Sequence, residues 1–377
     1  MQVKDKVVNW WLQNIIIPRS EIIDKPGFIV TTFTEQKRTT YLREFMLSEQ
    51  LLEFIEKKII EKFGDQGKQA LYSAGKKFGY LYASLSNFPT IYDISKKEFS
   101  DFAYLVIRYI SGTYAKQANH NLDFEKKTIT ISFDNYIVCR NNGLGYIMLD
   151  GAVSGLWSYE MQDKTIEGAQ LKCQGRGDPE CFIICGPLDE LKNNTDILFK
   201  ENDLPELKFD EIYKRINQIR ETTYSKNSLK KLIDLGFFKY KEGTISYKTI
   251  RFFHCESHIL YLLEEEISKL PNGEDFLFDI CFEYGKFVKD IYGENDYKKF
   301  ILDYYPALGY GDILVKDSND PKIFSIYYPW TNYSEKSKYI IFRGIMSGIV
   351  TDPMDNKIEF RNFKTDLKDY LTLSIYQ

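Results

Sequence analysis

Cysteine, histidine and tryptophan are scarce in this chain: 6, 3 and 4 of 377 residues, against 28 tyrosines and 27 phenylalanines. Six cysteines are too few for a disulfide scaffold and ordinary for a reducing compartment. No stretch approaches the roughly 18 consecutive apolar residues that span a bilayer, and charged or polar residues break every apolar run of the opening MQVKDKVVNWWLQNIIIPRS. Membrane insertion and a secretory signal are therefore not expected, and a cytoplasmic location is. Without such a signal the glycosylation patterns at Asn193 and Asn332 are chance. Excess positive charge is also missing: a net charge of -4 leaves no overall footprint for nucleic acid. There is no Walker loop, dinucleotide fingerprint or nucleophile motif, and Gly143-Leu144-Gly145 is only a turn. Catalysis thus has no support in the sequence.

What is present is globular composition, 44% hydrophobic and 28% charged, in a chain long enough for two domains of about 180 to 190 residues. Internal similarity supplies the division. LLEFIEKKI at 51 to 59 matches ILYLLEEEI at 259 to 267, each with one apolar helical face; this alignment sets Met46 and Gln50 opposite His254 and His258. QALYSAGKKFGYLYA at 69 to 83 resembles DFLFDICFEYGKFVKDI at 275 to 291, with Gly79 opposite Gly285. GYIMLDGAVSGLW at 145 to 157 corresponds to KYIIFRGIMSGIV at 338 to 350, setting Gly151 and Gly155 opposite Gly344 and Gly348. A mid-helix glycine costs about 1 kcal/mol against alanine, so its presence in both copies implies close approach of a neighbouring element.

Each copy reads as a helix, strands, helices, strands, a glycine-containing helix and a closing hairpin. Segregated blocks of this kind imply an α+β fold in which an antiparallel sheet packs on helices. The expected layout is a first module over 1–187, a linker over 188–211 that includes a short docking segment, and a second copy over 212–377. A fused pair of this kind is expected to pack as a pseudo-dimer and to let one copy diverge.

The copies differ at the closing hairpin. In the first, QGRGDPE is a turn flanked by the strands IEGAQLKC and CFIIC, which sets Cys173 and Cys181 on opposite sides of the hairpin base. Two thiols there are either half of a tetrahedral zinc site, with sulfur ~2.3 Å from the metal, or buried small hydrophobes. Cys185 lies roughly 13 Å beyond Cys181 at ~3.3 Å per residue, too far for the same ion, and belongs in the core. Cys139 ends a different strand and is a possible further ligand.

With its strand LKC, its turn and second cysteine GRGDPEC and its last strand FIICGP, preceded by the helix GAVSG, the first copy resembles the vinyl-4-reductase domain family. Its members include sensor domains of phenol-responsive activators, archaeal regulators and a protein linked to bacteriochlorophyll vinyl reduction, and its fold is similar to that of TRAPP-complex subunits. The resemblance covers most of 1–187. It implies small-molecule sensing or protein association, frequent dimerisation and, in sensor members, a zinc held by the two hairpin cysteines, a glutamate and an upstream cysteine. The last two positions fall here on Gln170 and about Ile147, which are poor ligands, unless Cys139, Asp178 or Glu180 substitutes. The second copy has aspartate near 366 and closes on YLTLSIYQ with no cysteine.

Other constellations carry less. His254 and His258 have the spacing of a helical metal pair, but lack a third partner and read as structural. The basic stretch 211–253, with Arg215, Arg220, Lys230 and Lys231, can imitate a winged helix-turn-helix, which makes a DNA-binding regulator the alternative function. A reductase-type enzyme ranks below it. The sequence therefore favours a non-catalytic sensor or adaptor whose partners are a small hydrophobic or aromatic ligand, another protein, or both. Aromatics nearest the hairpin, namely Phe102, Tyr104, Tyr109, Trp157 and Tyr159, are the candidate pocket.

Overall fold

A computed structural model of the chain describes residues 20–35, 38–137, 147–192, 195, 199–205, 224–241, 244–292, 297–316, 322–326, 337–351, 358–365 and 370–374. Three strands come first, β1 Ser20–Lys25, β2 Phe28–Glu35 and β3 Arg38–Ser48, then three helices, α1 Glu49–Phe63, α2 Asp65–Leu85 and α3 Lys96–Thr113. The hairpin β4 Gln117–Asp123 and β5 Thr128–Asp134 leads to α4 Ile147–Glu160, then β6 Ile166–Lys172, β7 Cys181–Pro187 and the single turn α5 Leu188–Leu191. After α6 Leu229–Asp234 the same succession returns. Strands β8 Lys239–Lys241, β9 Thr244–Tyr247 and β10 Ile250–Glu256 precede helices α7 His258–Ser268, α8 Gly273–Tyr292 and α9 Tyr297–Ala307. Strands β11 Asp312–Lys316 and β12 Lys322–Ile326 precede α10 Ile340–Val350, β13 Asn362–Lys364 and β14 Tyr370–Ser374. The fold is α+β, with antiparallel sheets packed on helices, and among the described residues no helix is long and apolar enough to cross a membrane.

The chain divides into two compact units that interleave in sequence: Met1–Ile23, Val30–Leu42 and Gly75–Tyr213 form one, and Asp24–Ile29, Arg43–Ala74 and Lys214–Gln377 form the other. In the first unit the sheet runs β4-β5-β7-β6. Strand β5 alternates half-buried and buried residues, the period-two signature of a strand with one covered face. Helix α3 starts on a capping box, in which the Ser95 hydroxyl accepts the Glu98 N–H and the Glu98 carboxylate accepts the Ser95 N–H. The C-terminal half of α2 meets α4 backbone to backbone. A methyl group on Gly79 would overlap the Ala152 carbonyl oxygen, one on Gly155 the Lys76 carbonyl oxygen, and one on Gly75 the Met148 carbonyl oxygen. The Ser158 hydroxyl, at the end of α4, lies 2.7 Å from the Ser154 carbonyl and 3.2 Å from that of Ile166, so it ties the helix to β6.

In the second unit the sheet runs β11-β12-β14-β13, the same order as in the first. Helices α8 and α10 also meet at glycine. Added methyl groups would overlap the carbonyl oxygen of Ile345 at Gly285 and that of Phe282 at Gly348, and at Gly344 would crowd Cys281 and the Phe278 carbonyl. Thr351, after α10, repeats the tie of Ser158, with its hydroxyl 2.8 Å from the Ser347 carbonyl and 3.1 Å from that of Ile358. Close approach of elements is thus the reason for glycine in both helix pairs.

Strands β3 and β10 pair antiparallel, Glu44 opposite Glu256 and Met46 opposite His254, inside a larger sheet of order β1-β2-β3-β10-β9-β8. Arg43, 1% exposed, fastens this region by donating to the carbonyls of Gly27, Ile29, Glu44 and Gly309 at 2.8 to 3.3 Å. Helix α1 lays Phe54 on Tyr284 and Phe287 of α8, and Phe63 on Phe276. The repeated apolar face of α1 is therefore core in this unit.

Candidate functional site

The β6–β7 hairpin of the first unit holds the cysteines. Its register sets Gly168 opposite Cys185 and Lys172 opposite Phe182, with an irregularity at Leu171, so the next step brings Cys173 beside Cys181. A 3-10 turn, Gln174–Arg176, closes the hairpin and ends at Gly177 in the left-handed region, φ 96°. The Asp178 carboxylate accepts the Cys173 N–H at 2.8 Å, and the Gln174 N–H points at the Cys181 sulfur at 3.5 Å. The Gln174 side chain fixes the turn to β5, accepting the Asn135 N–H and donating to Asp134. Both thiols are outside any disulfide and fully buried, as is Cys185 further along the strand.

Among the described residues the donor set beside these thiols stops at two. Gln170 and Ile147 offer an amide and a hydrocarbon, Asp178 is engaged in the turn, and Glu180 pairs with Lys172 at 3.6 Å on the surface. Among the described residues no group of three or more histidine, cysteine, aspartate or glutamate side chains is placed to hold a metal ion. These residues do not fit a tetrahedral zinc. Cys139 lies outside the described residues.

Beneath the hairpin is a buried polar group that the sequence reading did not single out. Asp150 of α4 is 8% exposed, and burial holds its carboxyl well above the usual range, against the Gln170 N–H and the Arg176 charge, which favour ionisation. Its Oδ1 has no hydrogen-bond partner. Next to it, Lys76 and Glu167 form an ion pair at 2.8 Å with both side chains fully buried. Burial lowers the lysine, while the Glu167 carboxylate raises it. Glu167 also accepts the Glu201 N–H at 3.1 Å, which fastens 199–205 to the hairpin, and Leu191 of α5 packs on Ala169 and Ile184. Burial, followed by the charges of Asp150 and Glu167, pushes the Cys185 thiol up. The available signal for this cluster was a lone aspartate in the apolar run IMLDGAVSGLW and lysines between Gly75 and Gly79.

The aromatic candidates do not all converge. Trp157 is buried, donates its indole N–H to the Lys127 carbonyl at 3.0 Å and meets Phe99 edge to face, as Phe102 does. Tyr104 faces His120, and Tyr159 packs on Tyr80. The side chain of Tyr109 lies outside the described residues.

In the second unit, His254 belongs to β10 and His258 to the first turn of α7, so the two share no helix face. Each is held by a glutamate, His254 by Glu44 at 2.6 Å and His258 by Glu256 at 2.9 Å, which is the structural role expected. Arg215 and Arg220 lie outside the described residues. Lys230 and Lys231 are exposed on α6, a helix of six residues whose first N–H groups are capped by Asp24. The following strands β8 and β9 are built into the six-stranded sheet.

No family model matches the chain, and no curated protein matches it. Among solved structures it is similar to the crystal structure of the phenol-responsive sensory domain of the transcription activator PoxR with phenol, at 16% identity and a TM-score of 0.36, over 52% of this chain and 95% of that one.

Proposed function

We propose that this chain is a non-catalytic, ligand-sensing regulator or adaptor, built from a duplicated module of the vinyl-4-reductase type whose first copy keeps the sensing site. The observation that carries the reading is a repeated scaffold with an unrepeated site. The sheets β4-β5-β7-β6 and β11-β12-β14-β13 share one strand order, and the glycine contacts and hydroxyl ties of α4 recur in α10. Met46 and His254, equivalent in the sequence repeat, are paired across β3 and β10. Among the described residues, only the first copy places two buried thiols in the closing hairpin above a carboxyl whose Oδ1 is unpartnered. Buried polar atoms are nearly always satisfied, so an orphan beneath a hairpin is a place where a small molecule supplies the missing partner.

The ligand in this reading is a small aromatic molecule with one hydroxyl, apolar enough for the surroundings and able to bond to Asp150. Calorimetric titration with phenol, and with toluene as the hydroxyl-free control, tests it. Binding of phenol that is at least tenfold weaker in Asp150→Ala, with toluene indifferent to the change, is the expected outcome. Equal phenol binding by both proteins, or none by either, removes the reading.

A further inference from the structure

The donors described beside the hairpin thiols do not complete a metal site, which leaves the chemistry of the pair itself. Cys173 and Cys181 stand opposite each other where β6 runs into its turn, one step past the pairing of Lys172 with Phe182. Both backbone groups of Cys173 are taken by the turn. Its N–H donates to the Asp178 carboxylate at 2.8 Å, and its carbonyl accepts the Arg176 and Asp178 N–H groups at 2.9 and 3.1 Å. Cys173 and Cys181 therefore form a non-hydrogen-bonded antiparallel pair, the kind in which opposite Cα atoms come closest, about 4.5 Å apart. A disulfide spans Cα separations of roughly 4.4 to 6.8 Å, so the register sets the two residues at a distance that bond accepts.

Adjacent thiols of this kind are placed to react with each other. A peroxide converts one thiol to a sulfenic acid and releases one water; the second sulfur then attacks the first, the S–O bond breaks, and the hydroxyl leaves with the second thiol's proton as another water. Two thiols and one peroxide thus give one disulfide and two waters. The turn above the pair is exposed at Arg176, Gly177 and Pro179, so an oxidant the size of hydrogen peroxide reaches the sulfurs when the turn opens locally. The other described cysteines are placed differently: Cys185 faces Gly168 and Ile129, Cys255 faces Phe45, and Cys281 lies on α8. We propose that Cys173 and Cys181 are a reversible modification site, at which a peroxide closes a disulfide across the hairpin and a thiol reductant opens it. Where thiols are kept reduced, such a bond is transient and reports oxidant.

The test treats the reduced full chain with hydrogen peroxide and no other ligand, blocks the remaining thiols with N-ethylmaleimide in denaturant, and maps them by mass spectrometry after trypsin. Cleavage after Lys172, Arg176 and Lys192 puts Cys173 in CQGR and Cys181 with Cys185 in GDPECFIICGPLDELK. The bond therefore joins two peptides, and fragmentation between Cys181 and Cys185 assigns it. Peptides joined through Cys181 are expected as the main product, absent after dithiothreitol, with Cys185, Cys255 and Cys281 recovered as blocked thiols. The oxidised chain is expected to melt about 3 to 8 °C above the reduced one, because the bond closes a short loop without distorting the hairpin. Cys173 and Cys181 recovered as blocked thiols, as sulfinic acids without the link, or joined to another cysteine each overturn the proposal. So does a linked chain that melts at or below the reduced one, or a reduced chain that retains zinc and whose thiols are thereby protected from peroxide. With no phenol present, the outcome is independent of ligand binding at Asp150.

Discussion

Glu264 offers the most quantitative handle on the second unit. It lies within α7, fully buried, and caps the start of α10. One carboxylate oxygen accepts the Ile341 N–H at 3.0 Å, the other the Ser337 hydroxyl at 2.8 Å. Burial outweighs these bonds and the nearby Arg343 charge, so the carboxyl is pushed up from 4.5 to about 7. Between those two pH values the folded chain keeps a proton that the unfolded chain has released, so stability falls as pH rises through this window and levels off above it. At 1.36 kcal/mol per pH unit the loss amounts to about 3 kcal/mol. Glu264→Gln keeps an oxygen for Ile341 and an amide for Ser337 but cannot ionise. Urea unfolding followed by circular dichroism, at steps from pH 4.5 to 8, measures the difference between the two proteins. The variant is expected to match wild type near pH 4.5 and to be more stable by about 3 kcal/mol at pH 8. A difference that does not change with pH would show that the carboxyl titrates normally and would refute the argument.

Three further outcomes follow from packing and pairing. Gly155→Ala and Gly348→Ala each gain about 1 kcal/mol of helix propensity but force a methyl into a facing carbonyl, at a cost of about 1 to 3 kcal/mol or more, so both lower the melting temperature by calorimetry. Lys76→Met strands the Glu167 carboxylate and lowers the unfolding free energy by about 3 to 5 kcal/mol, and the double change Lys76→Met/Glu167→Leu regains most of it in urea titration. Arg43→Lys replaces a planar fork with one ammonium that cannot span four carbonyls, so stability falls by about 2 kcal/mol or more with the charge unchanged.

The glycine contacts and the hairpin were legible because both are local in sequence: two glycines in an apolar helix, two cysteines around a Gly-Asp turn. The pairing of β3 with β10 was not, since nothing in either strand names a partner some 200 residues away. For the same reason the packing of Phe54 and Phe63 on α8 is not legible in the sequence, which shows an apolar face on the first repeat helix but not what covers it. His254 was misplaced by assuming that i, i+4 spacing implies a helix. IRFFHCE is strand, and the helix begins only at His258.

Asp150 shows where local reading stops and what a partner adds. Its equivalent in the sequence repeat is Arg343, which donates to the carbonyls of Lys338 and Arg361 at 2.8 and 2.6 Å and so ties α10 to the chain that follows. The carboxyl of Asp150 does similar work with one bond, from the Gln170 N–H, yet leaves Oδ1 unpartnered at the same depth. A purely structural group has no reason to keep the second oxygen, because asparagine would hold the Gln170 N–H without the penalty of burying an acid. Asp150→Asn separates the two roles. Burial raises the folded carboxyl, so wild type loses stability as pH climbs above 3.8 toward that raised value, and the variant does not. Asp150→Asn is therefore expected to equal wild type in strong acid and to exceed it at neutral pH. Phenol binding by calorimetry is expected to persist in the variant, since the amide still offers a polar partner, and to fail in Asp150→Ala. If Asp150→Asn is less stable than wild type at every pH, the carboxyl is a structural anchor in the folded chain, and the hairpin site loses its ligand group.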